Sequence, residues 1–165
     1  MFVLGIDPGL SRCGYGALEV TGGVTRAAAV GVIRTAPSAP LAERLAELQA
    51  ELGALIAEIG PRSVAVERVF FGANARTAMS VAQAAGIAMA AAATAGCSVV
   101  EYTPNQVKEA VCGYGAAPKE QVEAMVRTLL AIDQPLRPVD AADAVALALC
   151  HLAHAPSDRL TEALS

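Results

Sequence analysis

Residues 1–20 read MFVLGIDPGLSRCGYGALEV, and the apolar run from Phe2 to Ile6 ends in a carboxylate, Asp7, followed at once by Pro8 and Gly9. A short apolar run bounded by turn residues predicts a buried strand. A charge at the tip of such a strand costs several kcal/mol unless it is paired. Asp, Pro and Gly all favour turns, so Asp7 could simply begin one. The alternative is a carboxylate held rigidly to bind a cation, and the rest of the sequence decides between the two.

The remaining chain alternates strand and helix signals over a length, 165 residues, that suits one domain. Gly22-Gly23 is a hairpin turn signal between two β-type runs, and leucine and isoleucine at helical spacing follow Leu41. We predict strands at 2–6, 13–20, 24–34, 63–67 and 97–101, and helices at 41–59, 73–95, 104–113, 118–132 and 139–153. Three strands followed by alternating helices and strands indicate an α/β protein whose mixed sheet is covered by helices.

Composition fits a compact protein, with 55% hydrophobic and 17% charged residues. No export signal is recognisable at the start, and the alanine-rich stretch 78–97 resembles a packed helix more than a membrane span. The four cysteines are widely scattered, which in a chain without an export signal predicts reduced thiols in the cytoplasm. Since 78–97 is interpreted as a packed helix, we expect no membrane attachment. A net charge of −4 argues at first against a nucleic-acid partner, because domains that bind nucleic acid are usually basic. If four carboxylates belong to a metal site, however, the rest of the chain has a net charge of zero, so the overall charge is weak evidence either way.

Four carboxylates lie at the ends of apolar elements. Asp7 and Glu67 each finish a short strand, and Asp140 and Asp143 are three residues apart in the last helix, VDAADAVALAL. That spacing places both on one helix face, and we expect both in its first turn, where the helix dipole favours negative charge. Taken singly, Asp140 could be a helix cap. Taken together, the four acids would repel one another, and magnesium is the economical partner for such a set.

Histidine and phenylalanine side chains in this chain can have either a structural or a functional role. His151 lies about 12 Å along the helix from Asp143, so His151 and His154 are interpreted as ordinary polar residues. Of Phe70 and Phe71, we expect Phe70 to be exposed, where it can stack on a base, and Phe71 to be buried.

The ordered motifs resemble those of the RuvC-type Holliday junction resolvases. The shared pieces are GIDPG at 5–9, GYG at 14–16, AVERVF at 65–70 followed by Asn74, YTPNQVKEAVCGYGAAPKEQV at 102–122, MVRTLL at 125–130 and DAADAVALA at 140–148. The resemblance implies an RNase H-like fold over residues 1–155, with a mixed five-stranded sheet flanked by helices and a short tail at 156–165. It also implies a homodimer that nicks four-way junction DNA with two Mg²⁺ ions, or Mn²⁺ as a substitute, alongside the RuvA–RuvB branch-migration complex.

The resemblance also assigns roles to individual residues. The expected metal ligands are Asp7, Glu67, Asp140 and Asp143, and the expected catalytic lysines are Lys108 and Lys119. The expected DNA contacts are Phe70, Asn74, Arg76, Lys108 and Lys119. Each lysine could instead be an ordinary solvated helix charge. Ala73 and Ala85 stand where a basic residue is common in the family.

Small residues form a stripe along the helix at 73–95, at Ala82, Gly86, Ala90 and Ala93. The stripe could pack on the protein's own sheet or on a second subunit. Other functions stay open at this point: an RNase H-like nuclease acting on hybrids or branched DNA, or a junction-binding module that does not cleave. An actin-like ATP-binding enzyme shares the GIDPG-type opening, but 165 residues are too few for its second lobe.

Overall fold

The computed structural model describes residues 1–70 and 75–155, and the side chains of Ala75 and Arg76 are left out of the description. The elements in chain order are β1 Phe2–Asp7, β2 Arg12–Thr21, β3 Val24–Arg34, α1 Leu41–Ile59, β4 Ser63–Glu67, α2 Ala75–Thr94, β5 Ser98–Tyr102, α3 Pro104–Cys112, α4 Lys119–Leu129 and α5 Val139–His154. Every predicted strand and helix is present. The largest error in the predicted boundaries is at the end of α4, which ends at Leu129 rather than near residue 132. The predicted tail at 156–165 lies outside the described residues.

The five strands form one sheet in the order β3-β2-β1-β4-β5. Strands β1, β2 and β3 are paired antiparallel, whereas β4 pairs parallel to both β1 and β5. The predicted mixed α/β sheet is therefore confirmed. Strand β1 is central, and parallel β4 is its neighbour, so the carboxyl ends of these two strands meet at the same edge.

Alternation along β1 sends successive side chains to two separate cores. Leu4 and Ile6 pack with residues of α1 and α2, while Val3 faces α5. Gly5 and Asp7 share the strand face of Val3, because side chains two residues apart lie on the same side of a sheet. The strand therefore carries its terminal carboxylate on the face that α5 covers.

Three glycines let α5 lie directly against the sheet. A Cβ at Gly5 would sit 1.9 Å from the carbonyl oxygen of Ala144, and one at Gly14 would sit 2.1 Å from that of Asp140. Gly16 lies opposite Gly5 across the β1–β2 pair, and a Cβ there would sit 2.4 Å from Val145 Cγ2 and 2.8 Å from the Val145 backbone nitrogen. Since even a methyl group would collide with helix backbone, these positions fix the distance between α5 and the strands.

Helix α2 packs on the opposite face of the sheet with one side only. Ala84, Ala88 and Ala92 are fully buried in the core shared with α1. The window Thr77–Thr94 is long and apolar enough to cross a membrane by length and composition, with a mean hydropathy of 1.3, and 28% of it is buried. Such a match is weak, because helices that pack in a protein core pass the same test.

All four cysteines are free thiols, as predicted. Burial raises the pKa of Cys13 to about 11 and that of Cys150 to about 12. Both thiols are therefore protonated at neutral pH and unreactive as nucleophiles.

The glycine contacts predict opposite effects for two Gly→Ala substitutions. Gly5→Ala should lower the free energy of unfolding by about 1–3 kcal/mol or more, since the new methyl group meets rigid backbone. Gly53 lies exposed within α1 with nothing within 4 Å of its added Cβ. Gly53→Ala should therefore raise the free energy of unfolding by roughly 0.5–1 kcal/mol. Urea denaturation of both variants measures this, and a Gly5→Ala protein as stable as the wild type would contradict the packing described.

Candidate active site

Asp7 and Glu67 are the last residues of two adjacent parallel strands, β1 and β4. Ile6 of β1 pairs with Val66 of β4, and Asp7 and Glu67 are the next residues of these two strands. Both are partly buried. The sequence signal of an apolar run ending in an acid therefore identified two side chains at the same sheet edge.

Asp140 and Asp143 approach this edge from α5. Pro138 is the N-cap of the helix, so Asp140 is not a cap, and it lies in the first turn. The expectation that Asp143 also lies in the first turn is wrong, because it falls one turn further along. The contact of Gly14 with the Asp140 carbonyl holds the start of α5 beside Asp7, which pairs with Gly14 across the sheet.

The electrostatics of Asp7 reflect this convergence. Burial is the largest cause raising its pKa from 3.8 to about 7, and the charges of Glu67, Asp143 and Asp140 raise it further. Lys119 acts in the opposite direction. The pKa of Glu67 is likewise raised by burial and then by Asp143. Asp7 thus interacts with all three of the other predicted acids, and Glu67 interacts with Asp143 as well.

Two basic side chains neutralise the acids of α5. The Lys119 Nζ lies 2.7 Å from Asp143 Oδ2. Arg12 donates from Nε at 2.9 Å and from Nη2 at 2.6 Å to Asp140 Oδ2. Burial acts to lower the pKa of Lys119, but the hydrogen bond and charge of Asp143 outweigh it and raise that pKa. The sequence analysis missed Arg12; its position between GIDPG and GYG, beside the acids, was the available signal.

The donor set suits a hard divalent cation, although the side chains are not arranged as a closed metal cage. Within residues 1–70 and 75–155, no group of three or more His, Cys, Asp and Glu side chains is gathered closely enough to hold an ion. Asp7 and Glu67 nevertheless form no ion pair in this part of the chain. Burial is the largest cause raising the pKa of each, and neighbouring carboxylates raise it further: Glu67, Asp143 and Asp140 for Asp7, and Asp143 for Glu67. Carboxylate oxygens that repel one another are the donors Mg²⁺ prefers, so the residues present fit such an ion.

An open cleft of about 210 Å³ brings two of the acids together with both predicted lysines. Its polar lining consists of Glu67, Asp143, Lys108 and Lys119, and its walls are apolar residues of α3, α4 and α5. Lys108 is carried by α3, whose start is fixed by a capping box between Thr103 and Gln106. Lys119 is the first residue of α4. Two short helices therefore carry both lysines to the cleft that contains Glu67 and Asp143.

The predicted aromatic contact is exposed. Phe70 follows β4 by three residues and has 65% of its surface accessible, which confirms that this ring leaves the core. Phe71 and Asn74 lie outside the described residues, as does the side chain of Arg76. Their predicted roles stay predictions.

Two further positions have clear structural settings. Ala85, where the family often has a basic residue, is only 2% exposed and packs in the core shared with α1. Ala73 lies outside the described residues. His151 is buried, with Nδ1 3.0 Å from the Tyr102 hydroxyl, at the far end of α5 from the acids. His151 and His154 were interpreted as ordinary polar residues near the helix end, and both lie in the last turn of α5.

The pKa of Asp7 predicts how stability changes with pH in the absence of metal. Because the folded protein holds this proton more tightly than the unfolded chain, the group makes the protein less stable as pH rises from about 4 to about 7. In EDTA, Asp7→Asn should be more stable than the wild type above pH 7 by a few kcal/mol, since one pKa unit corresponds to about 1.4 kcal/mol. The difference should disappear below pH 4. Urea unfolding at pH 4 and pH 8 measures it, and a pH-independent difference would contradict the assignment.

Comparison with known proteins agrees with the motifs and the fold. Residues 3–151 match the family described as crossover junction endodeoxyribonuclease RuvC. The RuvC of Salinispora arenicola is 54% identical over 153 residues, 92% of this chain and 87% of its own length. That of Heliobacterium modesticaldum is 51% identical over 150 residues, 91% of this chain and 93% of its own.

A solved structure confirms the predicted RNase H-like fold. Thermus thermophilus RuvC, in complex with a Holliday junction substrate, superposes with a TM-score of 0.88 and 38% identity, covering 98% of this chain and 96% of that one. Identity at this level over nearly the whole chain, together with the family match, decides the assignment. This chain belongs to the RuvC family of crossover junction endodeoxyribonucleases.

Proposed function

We propose that this protein is a metal-dependent endonuclease that resolves four-way DNA junctions by nicking two symmetric strands. The observation that carries the proposal is Asp7, a carboxylate at a strand end whose pKa is raised to about 7 by burial and by three neighbouring acids. A group in that environment has a strong preference for a bound cation over an isolated charge. The Thermus thermophilus relative bound to a Holliday junction supports the choice of substrate.

The proposed metal ligands are Asp7, Glu67, Asp140 and Asp143, and the proposed ions are two Mg²⁺, with Mn²⁺ as a substitute. Two such ions, when bound about 3.5–4 Å apart, activate a water molecule and stabilise the leaving oxygen of a phosphodiester. The chain contributes rigidity: two ligands end central strands, and the other two lie on a helix packed directly against those strands.

Lys108 and Lys119 bind the scissile phosphate in this account. Both line the cleft that contains Glu67 and Asp143, so a phosphate entering it would meet two positive charges beside the proposed metal ligands. Fixed cations beside a phosphoryl group stabilise negative charge that develops in the transition state. Release of Asp143 by Lys119 would accompany metal binding at that acid.

The exposed ring of Phe70 is the proposed contact for an unpaired base near the junction crossover. Base–aromatic stacking is worth about 1–3 kcal/mol per base. Arg68 is exposed in the same segment and adds positive charge beside it. Asn74 and Arg76, which follow in sequence, are proposed as further DNA contacts on the strength of the family resemblance alone.

A homodimer through α2 would supply two active sites for two strands. The small residues predicted to form a stripe, Ala82, Gly86, Ala90 and Ala93, are all exposed, and Met79 beside them is 62% exposed. An apolar helix face with small side chains permits close approach of a second helix, and exposed apolar patches commonly mark interfaces. Cooperation with the RuvA–RuvB complex and a cytoplasmic location complete the proposal, both on the family resemblance.

The dimer proposal predicts that Gly86→Lys yields a monomer. Gly86 has open space around its added Cβ, and lysine favours helix more than glycine, so the fold should be retained while charge blocks the stripe. Gly53→Lys is the matched control, because Gly53 is equally exposed and lies within α1. Sedimentation velocity should give twice 16.7 kDa for the wild type and the control. A monomeric wild type, or a dimeric Gly86→Lys variant, would show the proposed interface to be wrong.

Asp7→Asn should abolish nicking of a synthetic four-way junction while leaving junction binding intact. Loss of an outer-shell partner of a metal costs about 10- to 100-fold, so loss of a ligand should cost more than about a hundredfold in rate. Glu51→Gln, an exposed acid on α1, is the control and should cut normally. Gel assays of cleavage and of binding, with and without Mg²⁺, measure the two effects.

The same assays separate the alternatives. Wild-type binding without any nicking would indicate a junction-binding module. Preference for an RNA–DNA hybrid or a simple branch over the four-way junction would indicate a different RNase H-like nuclease. Normal cutting by Asp7→Asn would disprove the metal site.

A further inference from the structure

Arg12 makes the most specific contact in the acidic cluster. Its Nε and Nη2 both donate to one oxygen, Oδ2 of Asp140, at 2.9 and 2.6 Å. A carboxylate oxygen has two lone-pair positions, and here both are used by one guanidinium. A metal that approaches Oδ2 must therefore compete with both donors of Arg12. Lys119, by contrast, makes a single bond to Asp143.

The backbones that carry this pair are fixed on both sides. A Cβ at Gly9 would lie 2.2 Å from the Arg12 carbonyl oxygen, which shows how tightly the preceding turn is folded. Arg44 of α1 braces the same turn by donating to the Ser11 hydroxyl at 2.6 Å and to Thr35 at 2.9 Å. On the other side, Asp140 is held at the start of α5 by its backbone contact with the sheet.

The side chains themselves are free to exchange partners. The Arg12 side chain is 42% exposed and that of Asp140 is 31% exposed. Ion pairs at this level of exposure are weak, because water competes for both charges. A divalent cation attracted by the neighbouring acids can therefore displace the guanidinium without moving the backbone.

We infer that Arg12 is a positioning residue that holds Asp140 in the metal-free enzyme and, when a divalent cation displaces it, binds a DNA phosphate instead. The planar guanidinium fork that fits a carboxylate also fits a phosphate. Metal loading and substrate binding are then coupled through one side chain. The inference rests on the proposed metal site and adds to it a residue outside the predicted ligand set.

The test compares Arg12→Gln, Arg12→Lys and Arg34→Gln with the wild type. Arg34 is the matched control, because it pairs with Arg12 across β2 and β3, is exposed, and has no carboxylate partner in the described part of the chain. Mn²⁺ binding to the free proteins, followed by electron paramagnetic resonance, should be about two- to fivefold tighter for Arg12→Gln than for the wild type, as loss of an exposed ion pair predicts. Arg34→Gln should change it less than twofold.

A second readout should move in the opposite direction. At saturating Mg²⁺, the KM of Arg12→Gln for the junction should rise two- to fivefold, and by more than kcat falls, because a phosphate contact has been lost. Arg12→Lys keeps the charge without the fork and should fall between wild type and Arg12→Gln in both measurements. Its behaviour keeps the inference testable if Arg12→Gln folds poorly.

The outcomes separate this inference from the proposed function. Unchanged or weaker Mn²⁺ binding by Arg12→Gln, in a wild type that binds Mn²⁺ and cuts junctions, would overturn the inference alone. Equal effects of Arg12→Gln and Arg34→Gln would show that only the loss of a positive charge matters, and would also overturn the inference. A wild type that cuts junctions but binds no Mn²⁺ without DNA would also overturn the inference, because the cation must displace Arg12 before Arg12 can bind DNA. A wild type that neither binds Mn²⁺ nor cuts would overturn both.

Discussion

The close approach of helix α5 to the central strands is the constraint on which the rest of the structure depends. Glycines 5, 14 and 16 remove the side chains that would otherwise keep helix and sheet apart, and helix backbone fills their place. Two acids on the helix are thereby brought to the edge where β1 and β4 end in Asp7 and Glu67. Gly5 of the GIDPG motif and both glycines of the GYG motif thus serve helix packing, whereas Gly9 lies in the tight turn before β2.

This packing forces like charges together, and the chain neutralises only part of the result. Arg12 and Lys119 pair with the two helix acids, while Asp7 and Glu67 keep raised pKa values because they are buried beside other carboxylates. The fold without metal therefore carries an unfavourable electrostatic contribution at neutral pH. A cation held by the proposed ligands would relieve this repulsion, so the electrostatic cost of gathering the acids would favour metal binding.

The sequence was sufficient to predict most elements because their signals are local. Apolar runs ending in Asp7 and Glu67, and the i, i+3 spacing of Asp140 and Asp143, identified residues that the structure brings together. The strand order and the Arg12 contact could not be predicted, since both depend on residues distant in the chain meeting in space. The prediction that Asp143 lies in the first helical turn was wrong. The helix begins at Val139, after the N-cap Pro138, so Asp143 falls in the second turn. Phe70 was correctly expected to be exposed.

The central claim is that the four acids share a cation at the edge where α5 meets β1 and β4. A crystal of the wild-type protein soaked in Mn²⁺, with diffraction recorded at the manganese absorption edge, tests it most directly. The account predicts an anomalous peak within bonding distance of Asp7 and at least one acid of α5, with Arg12 withdrawn from Asp140. Full occupancy of Mn²⁺ elsewhere, with these four side chains unchanged, would contradict it.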